Sequence, residues 1–300
     1  MKGTRYLLFA VMFVVLVSAF SAASDIYFAQ NAAGSNNGTS CANAYAYNDA
    51  KHGLGIPGTW TAGNTLHLCG TFTASAGASN YIVAQASGTS GNIITLQFET
   101  NSNLTAAYWS GAVINLNGAS YITVDGGTNG TIQATANGTG LANQQDNGVC
   151  VYSNGSKNVQ VKNLTCANIY VHTCTLPMSN CTDEGGQNTY GIELIGGSNL
   201  QIGPNNTAHD MKWALFNGYG NGATNVQIFQ NTVYNADHGV VFGDAGSNDA
   251  ATGSLTATCG GANGNMICQN TIHDGGNWDD VGDLNHHDGI HTWANFSGSN

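Results

Sequence analysis

Two short patterns recur along this chain about two dozen residues apart, and nothing else in it limits the fold so tightly. The first is a small residue opening an alternating apolar stretch: GVCVY from Gly148, GIELI from Gly191, ALFNG from Ala214, GVVFG from Gly239 and GIHTW from Gly289. Its members stand 43, 23, 25 and 50 residues apart. The second follows the first: NVQVKN from Asn158, NLQIGPN from Asn199, NVQIFQN from Asn225 and NMICQN from Asn265. Alternation with period two marks strands, and helical periodicity is nearly absent. The bare unit is the 23 to 25 residues on either side of Ala214; the longer steps hold insertions around Cys174–Gly186, Asp244–Asn263 and Gly275–His286.

A unit this short cannot bury its own apolar face, but units stacked on one another can, which is the logic of a solenoid. Each strand then pairs with its equivalent one coil away, at about 4.8 Å. This predicts an all-β parallel β-helix with Val149, Ile192, Leu215, Val240 and Ile290 in one inward column. Asn163, Asn205, Asn231 and Asn270 are expected at the turn after the second strand, where amides satisfy bent backbone and one another. The hexapeptide period of a left-handed β-helix is missing. GNTLHLCGTFT, SGNIITLQFET and GASYITVDGG continue the pattern upstream with looser spacing. Residues 24–60 are expected to form an N-terminal strand and cap, and 61–300 the coils with their disulfide-tied insertions. The chain ends just after a strand with no cap, so a fragment of a longer protein, or an open end that pairs, is expected.

Lys2 and Arg5, the apolar run Tyr6–Val17 and the small residues of SAFSAAS have the layout of a secretory signal peptide over residues 1–23. The run is shorter than the roughly 20 residues that span a bilayer, so the expected product is secreted, with no membrane insertion after cleavage. The remainder keeps four lysines (Lys51, Lys157, Lys162, Lys212) and no arginine against seventeen acidic residues. Nucleic acid, which needs several cationic phosphate contacts, is excluded as a partner. Eight cysteines, all beyond the signal peptide, read as four disulfides. Sequence neighbours suggest Cys41–Cys69, Cys150–Cys166, Cys174–Cys181 and Cys259–Cys268.

Aligning coils on the small residue of the first series collects chemistry into columns. Two residues before it stand Asp146, Thr189, Lys212, Asp237 and His287; one before it, Asn147, Tyr190, Trp213, His238 and Asp288. Two after it, expected to point outward, stand Cys150, Glu193, Phe216, Val241 and His291. Six of the nine histidines lie at or beyond His209 and eight of the seventeen acidic residues at or beyond Asp237, so acids and imidazoles gather on the last coils. Carboxylates one coil apart have perturbed acidities and can divide acid and base roles. Tyr190, Trp213 and Trp293 offer flat faces to sugar rings, and Glu193 lies beside them.

In these strands and turns, and in the opening IYFAQNAAGSNNGTSCANAYAY, the chain resembles the bacterial secreted right-handed parallel β-helix proteins of the pectate-lyase-like superfamily. The resemblance spans roughly residues 25–300 and is specific for fold more than for activity. It implies a right-handed winding and a polysaccharide or cell-surface glycan as partner. Uronate lyases of that superfamily use Arg or Lys as base with calcium, and polygalacturonase-like members carry NTD, DD, GHG and RIK motifs. Here RIK and GHG are missing, and Asp279-Asp280 is the only DD pair.

The expected activity is hydrolysis or lyase cleavage of a polysaccharide. Asp237 and Asp288 are the acid and base, with His238 and His291 as orienting or proton-transfer partners. In the lyase version Lys212 is the base and Asp237, Asp244 or Asp288 holds calcium through oxygen ligands. Asp244, Asp279, Asp280, Asp283 and His287 are further metal-ligand candidates, and His286, His287 and His291 have a spacing that suits a transition metal. The alternative is a non-catalytic surface, adhesion or glycan-binding module. Structural roles compete at several positions: Asp288 as the turn residue of DGI, His209 and His273 stacked beside Tyr234, and Asp210, Asn235 and Asp274 as a turn column.

Overall fold

A computed structural model describes residues 23–137, 147–171, 188–218, 223–242, 259, 264–278 and 288–292. Among these the regular structure is strand, with three short 3-10 turns. All strand pairings are parallel, and each strand pairs mainly with its equivalent in the next winding of the chain. The segment read as a signal peptide, residues 1–23, lies, apart from Ala23, outside the described residues. No helix among the described residues is long and apolar enough to cross a membrane.

Three columns of strands run the length of the stack, and the apolar residue of each rung repeats in register. The first column stacks Ile26, Leu66, Leu96, Val124, Val161, Ile202, Ile228 and Ile267. The second stacks Phe72, Leu104, Ile132, Cys166, Ala208, Val233 and Ile272. The third stacks Ile82, Ile114, Val151, Ile192, Leu215, Val240 and Ile290. The middle rungs are fully buried and join into one core. Each coil thus covers the apolar face its neighbour cannot cover alone.

The third column shows one shift from the sequence alignment. Val149 pairs with Tyr190 and Val151 with Ile192, so Cys150, not Gly148, shares the rung of Gly191. Val151 therefore takes the inward place predicted for Val149. Cysteine is small enough for that position, and matching glycine to glycine chose the wrong residue. From Gly191 to Gly289 the predicted register holds. The small residue is required there by close approach: a Cβ on Gly239 would stand 2.6 Å from the carbonyl oxygen of Gly289 and 2.7 Å from Ile272.

One expected disulfide is also corrected. Cys150 and Cys166 are free and fully buried neighbours, behaving as small apolar core residues in their respective columns. Burial holds the Cys150 thiol well above the ordinary range, with Cys166 beside it as a further cause. Cys41–Cys69 and Cys259–Cys268 are bonded; Cys174 and Cys181 lie outside the described residues.

Turns are closed by amide ladders. Asn158, Asn199 and Asn225 each adopt a φ of 56°, the left-handed conformation that asparagine tolerates. Their side chains link coil to coil, Asn199 Nδ2 donating to Asn158 Oδ1 at 2.9 Å and Asn225 Nδ2 to Asn199 Oδ1 at 2.6 Å. A second, buried ladder runs through Asn206, Asn231 and Asn270. The predicted column named Asn205 in place of Asn206; Asn205 belongs to the adjacent turn position with Asn163, to which its Nδ2 donates at 3.1 Å.

Candidate functional site

The outer face of the third column changes character along the stack. One position before the small residue, the rungs read Ala112, Val149, Tyr190, Trp213, His238 and Asp288, passing from aliphatic through aromatic to imidazole and carboxylate. Three positions further on they read Asn115, Tyr152, Glu193, Phe216, Val241 and His291. Strand pairing alone therefore brings residues 50 apart in sequence within reach of one another.

On the last two rungs sit two Asp–His pairs. His238 Nδ1 lies 2.9 Å from Asp237 Oδ2, and His291 Nδ1 lies 2.7 Å from Asp288 Oδ2. The two imidazoles meet edge to face with centroids 5.3 Å apart. Lys212 Nζ lies 3.7 Å from Asp237 Oδ2 with both side chains almost wholly buried, which puts a cation and an anion side by side beneath the imidazole. The Lys212 ammonium also stands 5.7 Å from the ring centre of Trp213, and Trp213 stacks on His238 at 4.3 Å. A carboxylate on one ring nitrogen fixes the tautomer and the orientation of the ring.

Lys212, Asp237, His238, Asp288 and His291 are thus brought together as the alignment predicted. Their exposures differ from one another. Asp237 is 1% exposed at its side chain, whereas Asp288 is 32% exposed. Asp237 is placed to hold His238 and Lys212, and Asp288 is the carboxylate that faces outward.

Tyr190 and Trp213 do not form the open platform predicted for sugar rings. They stack with centroids 6.3 Å apart and pack with Phe216, Val241 and Val149 in a second apolar cluster outside the coil. Glu193 is also buried, and that burial raises its pKa from 4.5 to about 7. The outward column is covered because its own members are large and apolar at Phe216 and Val241. Trp293, and the candidate metal ligands Asp244, Asp279, Asp280, Asp283, His286 and His287, lie outside the described residues.

The residues weighed as turn ladders are ladders. His209, Tyr234 and His273 stack at 4.4 and 5.4 Å. Asp210, Asn235 and Asp274 follow as a column of left-handed turn residues, Asn235 donating to Asp210.

One surface escaped the sequence reading. On the outer face of the first column, Thr123, Gln160, Gln201 and Gln227 stand in register and, with the Asn158–Asn225 ladder and the exposed Ile93, line a groove along the stack. Gln201 Nε2 donates to Gln227 Oε1 at 3.4 Å. The signal was present in NVQV, NLQI and NVQI, where glutamine stands two residues after each ladder asparagine.

Comparison of the chain with known protein families, with curated proteins and with solved structures finds no match.

Proposed function

We propose that this is an exported, right-handed parallel β-helix that cleaves a polysaccharide, as a hydrolase or lyase, at the cluster formed by Lys212, Asp237, His238, Asp288 and His291. The handedness follows the strong chiral preference of parallel strands joined by crossovers. The reading is carried by one observation: two Asp–His pairs on successive rungs with their imidazoles in contact. In this reading Asp288 and His291 meet the glycan and exchange protons with it, and His238 shares that work. Asp237 and Lys212 are positioning residues, since both are buried and paired behind the imidazole. The pectate-lyase-like resemblance supports the substrate class.

A screen of neutral and acidic polysaccharides tests it, scored for new reducing ends (hydrolase) and for unsaturated sugar ends (lyase), with Asp288→Asn and His291→Ala run beside the parent. Release by the parent and its loss in both variants is the expected result. Equal release by parent and variants would remove the site, and no release on any glycan would remove the activity.

The second reading, a non-catalytic glycan-binding module, draws on the amide-lined groove of Gln160 and Gln201, with Gln227 buried at its floor. Neutral amides in a row pair with sugar hydroxyls without demanding charge. Retention on a glycan column that is abolished by Gln160→Ala with Gln201→Ala, in the absence of any cleavage, would favour it.

A further inference from the structure

We infer that His238, Asp288 and His291 form a binding site for a divalent transition-metal ion of the zinc type. Each offers a ligand atom, and the three atoms lie within 4.8 Å of one another. Two imidazoles and one carboxylate are a donor set for zinc and its neighbours, whereas calcium prefers six to eight oxygens. The set comes from adjacent rungs, His238 pairing with Asp288 and Val241 with His291, so the sheet that builds the coil also fixes the ligand backbones. Three protein ligands leave room for a water or substrate atom, the arrangement of catalytic rather than structural zinc sites.

The surroundings of His238 are those of a ligand. Its Nδ1 is engaged by Asp237 at 2.9 Å, which directs the ring's other nitrogen, Nε2, to the ion and strengthens it as a donor. Lys212, 3.7 Å from Asp237, lies behind that carboxylate and holds it in place beside His238 Nδ1. Two donors about 2.0–2.1 Å from one tetrahedral ion stand about 3.3–3.4 Å apart. The Asp288–His291 contact of 2.7 Å must therefore open slightly while the widest separation closes. Asp288, partly exposed at its strand edge, has the freedom to make that adjustment.

This site does not depend on the glycan activity, although an ion there would convert the imidazoles from proton carriers into ligands. The test is calorimetric titration of the chelator-stripped full chain with zinc chloride, and separately with calcium chloride, in the absence of glycan. One saturable zinc site of micromolar or tighter affinity is expected, with no comparable calcium uptake. Asp288→Asn and His291→Ala should each abolish it, and Asp237→Asn, acting through His238, should weaken it roughly 10- to 100-fold. His273→Ala, at an exposed ring outside the cluster, should leave it unchanged. Circular dichroism and melting of Asp288→Asn show whether that partly exposed variant keeps the parent fold. Absence of a saturable zinc site in the parent, or a zinc site of undiminished affinity in folded Asp288→Asn and His291→Ala, overturns the inference. Because binding is read without substrate, its failure is distinct from a failure of the glycan screen.

Discussion

The Asp237 carboxylate sits between Lys212 Nζ at 3.7 Å and His238 Nδ1 at 2.9 Å, with all three side chains buried. A buried charge is tolerated when partnered and costly when its partner is removed. Asp237→Asn should therefore destabilise the fold by roughly 3–5 kcal/mol, because it leaves the Lys212 ammonium in the interior. Adding Lys212→Met should restore part of that loss. Guanidinium unfolding of the two single variants and the double variant measures the coupling, and strictly additive losses would mean the pair does not interact.

Glu193 gives stability a pH dependence of definite sign. Folding raises its pKa from 4.5 to about 7, so between those values the native chain holds a proton that the unfolded chain has released. Stability contributed by this group falls as pH rises through that window and levels off above it, by up to about 3 kcal/mol. Glu193→Gln should remove the slope and be relatively more stable than the parent at pH 8 than at pH 4. Denaturant midpoints of both proteins at the two pH values decide this; parallel curves would sink it.

The two asparagine ladders should differ in worth. Asn231 is buried, donates from Nδ2 to Ile202 O and Asn270 Oδ1, and accepts from Asn206 at its own Oδ1. Asn231→Ala strands several buried polar groups and should cost about 2–4 kcal/mol. Asn199 lies in the exposed ladder, where water replaces the lost bonds, and Asn199→Ala should cost less than about 1.5 kcal/mol. Equal melting losses would contradict the distinction.

Cys150 and Cys166 should be recovered as thiols. Alkylation of the unfolded, unreduced chain followed by peptide mapping should label both, and neither should react in the native state, where both are buried out of reach of the reagent and burial also holds the Cys150 thiol above its ordinary range. Recovery of a Cys150–Cys166 linked peptide would refute the free-thiol assignment.

The stacking was legible because it is written twice. The inward residue and the turn asparagine recur together, and from Gly191 to Gly289 the small-residue alignment gave the pairing that places His238 beside Asp288 and Val241 beside His291. It failed at Gly148, where cysteine does the work of glycine and volume, not residue type, sets the rung. What the sequence could not convey was cover. Alternation says that Glu193, Phe216 and Val241 leave the coil, but not that they pack with Tyr190 and Trp213 under cover, the apolar ones in a second cluster. For the same reason Asp237 and Asp288 looked alike until their exposures separated them.

The amide ladders also bear on how this protein meets its medium. Rung is joined to rung chiefly by peptide groups, aliphatic stacks and neutral asparagine chains, which counterions do not screen. Brine and fresh water should leave the scaffold about equally firm, with ionic strength felt chiefly at partly exposed cross-rung ion pairs such as Lys162 with Asp125.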